Sequence, residues 1–385
     1  MTAEIDPFHT IAVSALAHKM KAEGRSVIHM EFGQPSTGAP AKAIATAHQV
    51  LDQDAMGYWS SVPLKERIAQ HYLDSYSVTV SPDQVMLTCG ASPALVLALN
   101  SAFAPGARIA MARPGYVAYR NTVRALHLVP VEIDCGADTR FQMTAAALAA
   151  LNPAPEGVII ASPANPTGTI IPDAEMRAIA ALCQERDIRI ISDEIYHGLH
   201  FGAPAHSMRE YDSQAIIINS FSKYFSMAGW RLGWMLAPDD LVAAAAARIG
   251  NLFLTPPSLA QHAALAAFDC RDELEGHLAR YRINLALLLD HLPKMGLTRI
   301  APPDGAFYIY ADIGHLTDDS LEFCKQLLRD TGVATASGID FDPVAGHRFI
   351  RFSFAVSTEL VKEAIARIGP WFAARTVQVA LQRSA

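Results

Sequence analysis

The sequence contains few charged residues and few cysteines. Of its 385 residues 18% are charged, whereas an average soluble domain has about 25%. Hydrophobic residues make up 51%, so an intrinsically disordered chain, which combines low hydrophobicity with high net charge, is excluded. The five cysteines are scattered along the chain, which excludes a disulfide framework and a Cys-x-x-Cys metal site and favours reduced thiols in the cytoplasm. Such a chain buries either an unusually large interior or additional surface against a partner.

Long apolar runs and an excess of basic residues are also missing. The most apolar stretches, Leu241–Ala247 and Ala145–Leu151, are far shorter than the roughly 20 residues of a transmembrane helix. The formal net charge is −7, and a mildly acidic chain is a poor general binder of nucleic acid. The start, MTAEIDPFHT, has no basic segment like that of a secretory signal. We therefore expect a cytoplasmic protein that binds neither membranes nor nucleic acid.

Short apolar runs that alternate with helical patterns predict the fold of the first two thirds of the chain. These runs lack the in-and-out alternation of a half-exposed strand, which is typical of a parallel sheet covered by helices on both faces. The predicted strands are Gln84–Thr88, Arg108–Ala112, Val158–Ala161, Ile188–Ser192 and Ala215–Asn219. Helices between successive strands imply βαβ units with right-handed crossovers.

After about residue 240 the pattern becomes α+β. Short strands are predicted at Ala306–Ala311 and Phe349–Phe354, and helices at Glu273–His291, Leu321–Thr331 and Glu359–Phe372. We expect a large α/β domain at residues 40–285. A smaller domain would combine residues 286–385 with residues 1–39, which form an N-terminal arm.

Chemically useful residues follow the predicted strands. Ligands of open α/β sheets bind outside the carboxyl ends of the strands, so we compare the residues that come after each strand. They are Cys89-Gly90-Ala91-Ser92-Pro93, Ser162-Pro163-Ala164-Asn165-Pro166-Thr167-Gly168, Asp193-Glu194-Ile195-Tyr196, Ser220-Phe221-Ser222-Lys223 and Gly229-Trp230-Arg231-Leu232-Gly233. An amine, a carboxylate, a phenol, an amide and a guanidinium are thereby predicted at one edge, beside a helix N-terminus.

This combination suits pyridoxal 5′-phosphate (PLP). A lysine amine forms a Schiff base with an aldehyde, and a carboxylate beside a ring nitrogen favours its protonated form. Arginine, hydroxyl groups and helix amides bind a phosphate. Each tripeptide alone is commonly an ordinary turn or loop, and their joint occurrence in order at successive strand ends carries the prediction.

The runs SPANPTG (162–168), SDEIY (192–196) and SFSKYFSMAGWRLGW (220–234) resemble those of class I/II aminotransferases of PLP fold type I. The resemblance covers nearly the whole chain, from Gly33 to the FIRFSFA run (349–355). It implies a large PLP-binding domain with a mostly parallel sheet, a smaller α+β domain, and a homodimer with a shared active site. It also implies transfer of an amino group from an L-amino acid to a 2-oxo acid by a ping-pong mechanism.

The resemblance further implies roles around the cofactor ring. Lys223 would bind PLP covalently and later move a proton during the reaction. Asp193 would pair with the pyridine nitrogen, and Tyr196 and Asn165 would donate hydrogen bonds to the ring 3-oxygen. Tyr116 would stack on the ring face.

The resemblance also implies which residues hold the cofactor phosphate and the substrate carboxylate. The phosphate would be held by residues after two of the strands and in the GWRLG run, namely Ala91, Ser92, Ser220 and Arg231. Arg351 would bind the substrate α-carboxylate as a bidentate pair, with Asn165 and the Gly33 backbone nearby. Tyr58 would contact the phosphate of the neighbouring subunit. The loop after Tyr58 is shorter than in relatives and lacks their glycine, which weakens this last assignment and suggests a reshaped pocket.

Other readings are less well supported. Ser220-Phe221-Ser222-Lys223 matches the Ser-x-x-Lys motif of penicillin-binding proteins and β-lactamases, but their Lys-Thr-Gly is absent. His197 and His200 lack a third ligand at helical spacing, so we expect no metal site. A nicotinamide enzyme is disfavoured because no Gly-x-Gly-x-x-Gly follows a strand.

Two alternatives share the PLP fold. A PLP-sensing transcription regulator needs a DNA-binding module ahead of the fold, and only about thirty residues precede Gly33. A carbon–sulfur β-lyase or a cyclopropane-forming synthase remains open because a fold does not determine the reaction. The amino donor and the 2-oxo acid acceptor also remain open.

Overall fold

The computed structural model describes residues 5–384, with side chains for residues 5–376. The α-helices are α1 His9–Ala22, α2 Ala41–Gln53, α3 Val62–Tyr76, α4 Ala91–Ala102, α5 Val117–Ala125, α6 Ala145–Ala149, α7 Asp173–Arg186, α8 Asp239–Leu252, α9 Ser258–Ala267, α10 Arg271–His291, α11 Ser320–Thr331 and α12 Thr358–Ser384. The strands are β1 Ile28–His29, β2 Val85–Thr88, β3 Arg108–Arg113, β4 Val129–Asp134, β5 Gly157–Ala161, β6 Arg189–Asp193, β7 Ile216–Ser220, β8 Gly233–Leu236, β9 Tyr308–Asp312, β10 Val333–Ala334, β11 Ala336–Ser337 and β12 Phe349–Ser353.

A seven-stranded sheet forms the centre of the larger part of the molecule. Its order is β2-β8-β7-β6-β5-β3-β4, and the neighbours from β4 to β7 are all parallel. Strand β8 is antiparallel to both β7 and β2, so β2 points in the same direction as β7. The α/β class with a mostly parallel sheet is therefore confirmed.

Helices cover both faces of this sheet. Successive strand residues point to opposite faces, so neighbouring residues of one strand enter two different cores. Ile160 and Ile190 pack into the core under one face, whereas Ile159 and Ile191 pack into the core under the other. This double burial explains why the strands are continuously apolar.

Two strands of the sheet were not predicted. Strand β4 lies at an edge, is partly exposed and contains Pro130, a residue that an edge strand tolerates because one side of its backbone needs no partner. Strand β8 is buried but only four residues long, and it begins with the last two residues of the GWRLGW run.

The remaining elements form a second layered unit. Strands β11, β12 and β9 make an antiparallel sheet, and β1 pairs with β10 in parallel, with Ile28 opposite Val333. The N-terminal segment thus joins the C-terminal part of the chain, and Val13 shares its core with Leu278 and Phe352. The helix predicted at 359–372 is longer than expected and extends to Ser384.

Two simpler observations complete the fold. All five cysteines are free thiols. Within residues 5–384, no helix combines the length and the apolar character that crossing a membrane requires.

Candidate active site

One pocket lies at the carboxyl ends of β2, β5, β6 and β7. It collects nearly all of the residues that the sequence singled out: Gly33, Ala91, Ser92, Tyr116, Asn165, Asp193, Tyr196, Ser220, Lys223, Arg231 and Arg351. Tyr58 is the exception, because its side chain is 84% exposed on the surface of the same chain. The strand-end argument therefore brings distant parts of the sequence to one place, as expected of an open α/β sheet.

Lys223 lies shortly after β7, with its amine inside the pocket. Its Nζ donates a hydrogen bond to the Gly33 carbonyl oxygen at 2.5 Å. Desolvation, reinforced by the positive charge of Arg351, lowers the pKa of Lys223 to about 8. A substantial fraction of this amine is therefore neutral, and so nucleophilic, slightly above neutral pH.

Asp193 ends β6 and is buried. Its Oδ2 accepts a hydrogen bond from the Tyr119 hydroxyl at 2.6 Å, and its Oδ1 accepts one from the Ile195 amide at 3.2 Å. Burial raises the pKa of Asp193 to about 6, although both hydrogen bonds and the nearby Lys223 favour the ionised form. A buried carboxylate of this kind is suited to pair with a cation such as a protonated ring nitrogen.

Tyr119 is a site residue that the sequence patterns did not reveal. It lies in helix α5, three residues after Tyr116, and the two rings meet edge to face with centroids 5.6 Å apart. The one available signal was this spacing, which places Tyr119 in the first turn of α5 just after Tyr116, the residue that caps the helix. Tyr119 thus contacts both the carboxylate and the aromatic side chain that were assigned to the cofactor ring.

Arg351 projects from β12 and is 2% exposed. Its Nη1 donates to Asn165 Oδ1 at 2.7 Å and its Nη2 to the Glu31 carbonyl oxygen at 2.5 Å. The guanidinium lies 4.4 Å from the centroid of the Tyr308 ring, and its Nε is buried without a partner. The arginine is therefore held rigidly, with donor capacity left for a carboxylate.

Tyr196 and Tyr308 join the two sides of the pocket. Their hydroxyl groups lie 2.7 Å apart. A methyl group added to Gly33 would overlap the Tyr308 hydroxyl, so glycine is required for this close approach. These contacts place Tyr308 of β9 against both Tyr196, which follows β6, and the segment that contains Gly33.

The anion-binding end of the pocket is built at the start of α4. Gly90 precedes the helix with φ +102°, and no side chain caps the first helical amides, which leaves them available to an anion. Arg231 Nη2 donates to the Cys89 carbonyl oxygen at 3.1 Å. A Cβ atom at Gly90 would lie 2.7 Å from that same nitrogen. Ser220 adds its hydroxyl, which donates to Ser222 Oγ at 2.8 Å; Ser222 lines the pocket as well.

The two histidines after Tyr196 are not equivalent. His197 is buried between the Ser162 carbonyl oxygen, 2.9 Å from Nε2, and the Tyr76 hydroxyl, 2.7 Å from Nδ1. Burial lowers the pKa of His197 to about 3, so it is neutral and fastens the turn that carries Asn165. The pKa of His200 is lowered less, also by burial.

The donor set fits PLP. A partly neutral lysine amine, a buried carboxylate, an aromatic side chain and an uncapped helix N-terminus beside an arginine match the aldehyde, the ring nitrogen, the ring face and the phosphate. A separate arginine remains for the α-carboxylate of a substrate.

Comparisons with known proteins agree with this chemistry. The family described as aminotransferase class I and II matches residues 25–368. A valine–pyruvate aminotransferase from Mycobacterium tuberculosis is 46% identical, covering 96% of this chain and 97% of the relative. A (5-formylfuran-3-yl)methyl phosphate transaminase from Methanocaldococcus jannaschii is 33% identical over 94% and 96%.

Solved structures show the same architecture. An aminotransferase from M. tuberculosis superposes with a TM-score of 0.94 at 46% identity, covering 96% of this chain and 97% of that one. The Thermus thermophilus aspartate aminotransferase with maleate gives a TM-score of 0.89 at 28% identity, covering 96% and 97%.

Proposed function

The chain belongs to the class I and II aminotransferases, and from this premise we propose that its amino donor is a neutral aliphatic L-amino acid such as valine or alanine. As a member of the family it uses PLP and moves an amino group from an amino acid to a 2-oxo acid. When bound, PLP supplies an aldehyde that takes up the amino group and a ring that accepts electrons.

The charges that line the pocket carry this proposal. Among the pocket residues that the structure describes, the cations are Lys223, Arg231 and Arg351. All three are already engaged, by the cofactor aldehyde, the phosphate and the substrate α-carboxylate respectively. The carboxyl side chains that line the pocket belong to Glu31 and Asp193, and neither offers an opposite charge to a second substrate carboxylate. A second carboxylate on the donor would therefore be desolvated without a cation from this chain, which is costly.

The name of one relative points in the same direction. The protein from M. tuberculosis described above is a valine–pyruvate aminotransferase. A valine side chain needs no charged partner, and pyruvate offers Arg351 one carboxylate. We accordingly propose pyruvate or a similar monocarboxylic 2-oxo acid as the acceptor.

The site residues have separate roles in this proposal. Lys223 binds the cofactor and carries a proton to and from the substrate Cα. Asp193 keeps the ring nitrogen protonated, while Asn165 and Tyr196 orient the ring through its 3-oxygen. Tyr116 packs on the ring face. The phosphate is bound by the α4 amides and by side chains from α4, the end of β7 and the segment that follows it, namely Ser92, Ser220, Ser222 and Arg231.

We further propose a homodimer in the cytoplasm with a role in amino acid biosynthesis. Tyr58, 84% exposed in one chain, would reach the phosphate of the partner subunit. Exposed apolar side chains nearby in sequence and on α8, including Val62 and Leu252, would be covered by the same interface. The division into domains at residues 40 and 285 is likewise proposed, since β1 and α1 pack with the C-terminal unit.

A panel of L-amino acids tests the proposed donor. We expect valine and alanine to change the visible absorption of the purified holoenzyme in a stopped-flow half-reaction, with kcat/KM for aspartate lower by at least about 100-fold. A preference for aspartate or glutamate would contradict the proposal. Continuous release of ammonia without an acceptor would instead indicate a lyase, because a transaminase keeps the amino group on the cofactor after a single half-reaction.

Removing the Tyr119 hydroxyl tests how Asp193 is tuned. In Tyr119→Phe the carboxylate loses one hydrogen bond that favours its ionised form, so the pKa of Asp193 rises further above its usual range. The ionised carboxylate then appears only at higher pH. We expect the acidic limb of the kcat/KM profile to move to higher pH and kcat to fall by about tenfold.

Tyr211→Phe is the matched control, because the Tyr211 hydroxyl donates to Asp173 at 2.5 Å and neither residue lines the pocket. It should leave the pH profile unchanged. A Tyr119→Phe enzyme with the wild-type acidic limb would show that this hydroxyl does not tune Asp193.

A further inference from the structure

Residues 5–8 and the first two residues of α1, His9 and Thr10, form a strap across one side of the pocket. One end is fixed to helix α5. Asp6 Oδ2 accepts hydrogen bonds from Arg120 Nε at 3.0 Å and Arg124 Nη1 at 2.9 Å. Asn121 bonds to the Asp6 backbone in both directions, at 3.3 Å and 3.1 Å. Because Arg120 is buried and also pairs with Glu132 at 2.9 Å, this attachment is more than a loose surface ion pair.

The other end of the strap is fixed to the C-terminal unit. The buried Asp340 accepts hydrogen bonds from the backbone amides of His9 at 2.7 Å and Thr10 at 2.8 Å, and from the Thr10 hydroxyl at 2.6 Å. These amides begin helix α1 and would otherwise lack partners. The strap is thus held by a carboxylate at each end. Asp6 of the strap binds arginines of α5, and Asp340 of the C-terminal unit binds the amides of His9 and Thr10.

Between the two attachments the strap faces the pocket. Phe8 and Thr10 line it, together with Ala118 and Thr122 from α5. The Thr10 hydroxyl donates its proton to Asp340, so it cannot donate to a ligand. This wall carries no charged side chain, and its side chains are small apart from the apolar Phe8 ring.

We propose that the strap determines donor specificity: Phe8 limits the size of the substrate side chain, and Asp6 positions Phe8 by fixing the strap to α5. With the α-carboxylate at Arg351 and the reacting carbon at Lys223, the side chain has to occupy the part of the pocket that neither residue fills, which the strap borders. This inference rests on the proposed function, because it assumes that an uncharged side chain occupies this space.

The experiment compares holoenzymes on a size series of donors: alanine, valine, leucine and phenylalanine. In Phe8→Ala we expect the ratio of kcat/KM for leucine to that for valine to rise by about tenfold, since one methylene in an apolar pocket is worth about that factor. In Asp6→Ala we expect a change in the same direction but smaller, expressed in KM rather than kcat. Hydrogen exchange of the backbone amides in residues 8–12 should be faster in Asp6→Ala.

Asp290→Ala is the matched control, because Asp290 forms an exposed ion pair with Lys294 at 2.8 Å and neither residue lines the pocket. An unchanged ratio in Phe8→Ala, with normal cofactor absorbance, would overturn the role of Phe8. Unchanged exchange and KM in Asp6→Ala would overturn the role of Asp6. If the wild-type enzyme prefers aspartate, the proposed function fails. The role of Phe8 is still decided, because it depends on how the leucine-to-valine ratio of kcat/KM differs between the wild type and Phe8→Ala.

Discussion

Replacement of Lys223 by alanine is expected to lower the rate of transamination by about 10⁴-fold. Lys223 carries the one primary amine among the described residues that line the pocket, so no neighbour in this chain can replace it. The variant loses both the covalent attachment of the cofactor and the base that moves the proton at the substrate Cα. Absorbance of the half-reaction with valine measures the rate, and borohydride reduction followed by mass spectrometry measures the attachment.

Two controls separate loss of chemistry from loss of structure. Lys42→Ala removes an exposed lysine that pairs with Asp269 at 2.7 Å, and it should retain wild-type activity. Added methylamine should restore part of the Lys223→Ala rate, because a small amine can enter the space that the side chain left. If borohydride still attaches the cofactor to Lys223→Ala, the assignment of Lys223 is wrong.

The sequence could predict the parts of the site that follow strands. Asn165, Asp193 and Lys223 each follow a predicted apolar strand within about four residues, and a parallel sheet brings such positions to one edge. Their approximate place in the pocket therefore needs no knowledge of side-chain packing. The family resemblance added Arg351, which follows no such rule.

Tyr119 and the strap could not be predicted in this way. Tyr119 lies in the middle of a helix, and its relation to Asp193 depends on how α5 packs on the sheet, which no local pattern specifies. Asp6 and Asp340 are joined to their partners over more than a hundred residues of sequence. Contacts of this kind depend on tertiary structure rather than on motif or periodicity.

Tyr58 illustrates a different limit. Its exposure in the single chain is what a residue serving a partner subunit would show, and the pocket of its own chain does not include it. The low charge and high apolar content of the sequence suggested either a large interior or a covered surface. The doubly covered sheet accounts for much of that content, and the proposed dimer would account for exposed side chains such as Val62 and Leu252.

Replacement of Arg351 by alanine is expected to raise KM for both the amino donor and the 2-oxo acid by about 100-fold. The two substrates share one carboxylate, and the loss of charge-assisted hydrogen bonds to it costs about 3 kcal/mol. Because Arg351 also donates to Asn165 at 2.7 Å, the variant frees that amide to turn away from the ring, and a smaller fall in kcat should accompany the change in KM. Steady-state kinetics with valine and pyruvate measure both effects.

Arg351→Lys keeps the charge but cannot contact Asn165, the Glu31 carbonyl oxygen and a carboxylate at the same time, because the planar guanidinium alone presents donors in several fixed directions. We therefore expect it to recover less than half of the lost binding free energy. Arg348→Ala is the control from the same segment, since Arg348 pairs with Asp312 at 2.9 Å and does not line the pocket. An Arg351→Ala enzyme with unchanged KM for both substrates would place the carboxylate elsewhere. The charge argument for a neutral donor would then fail too, because Arg351 would be free to bind a second carboxylate.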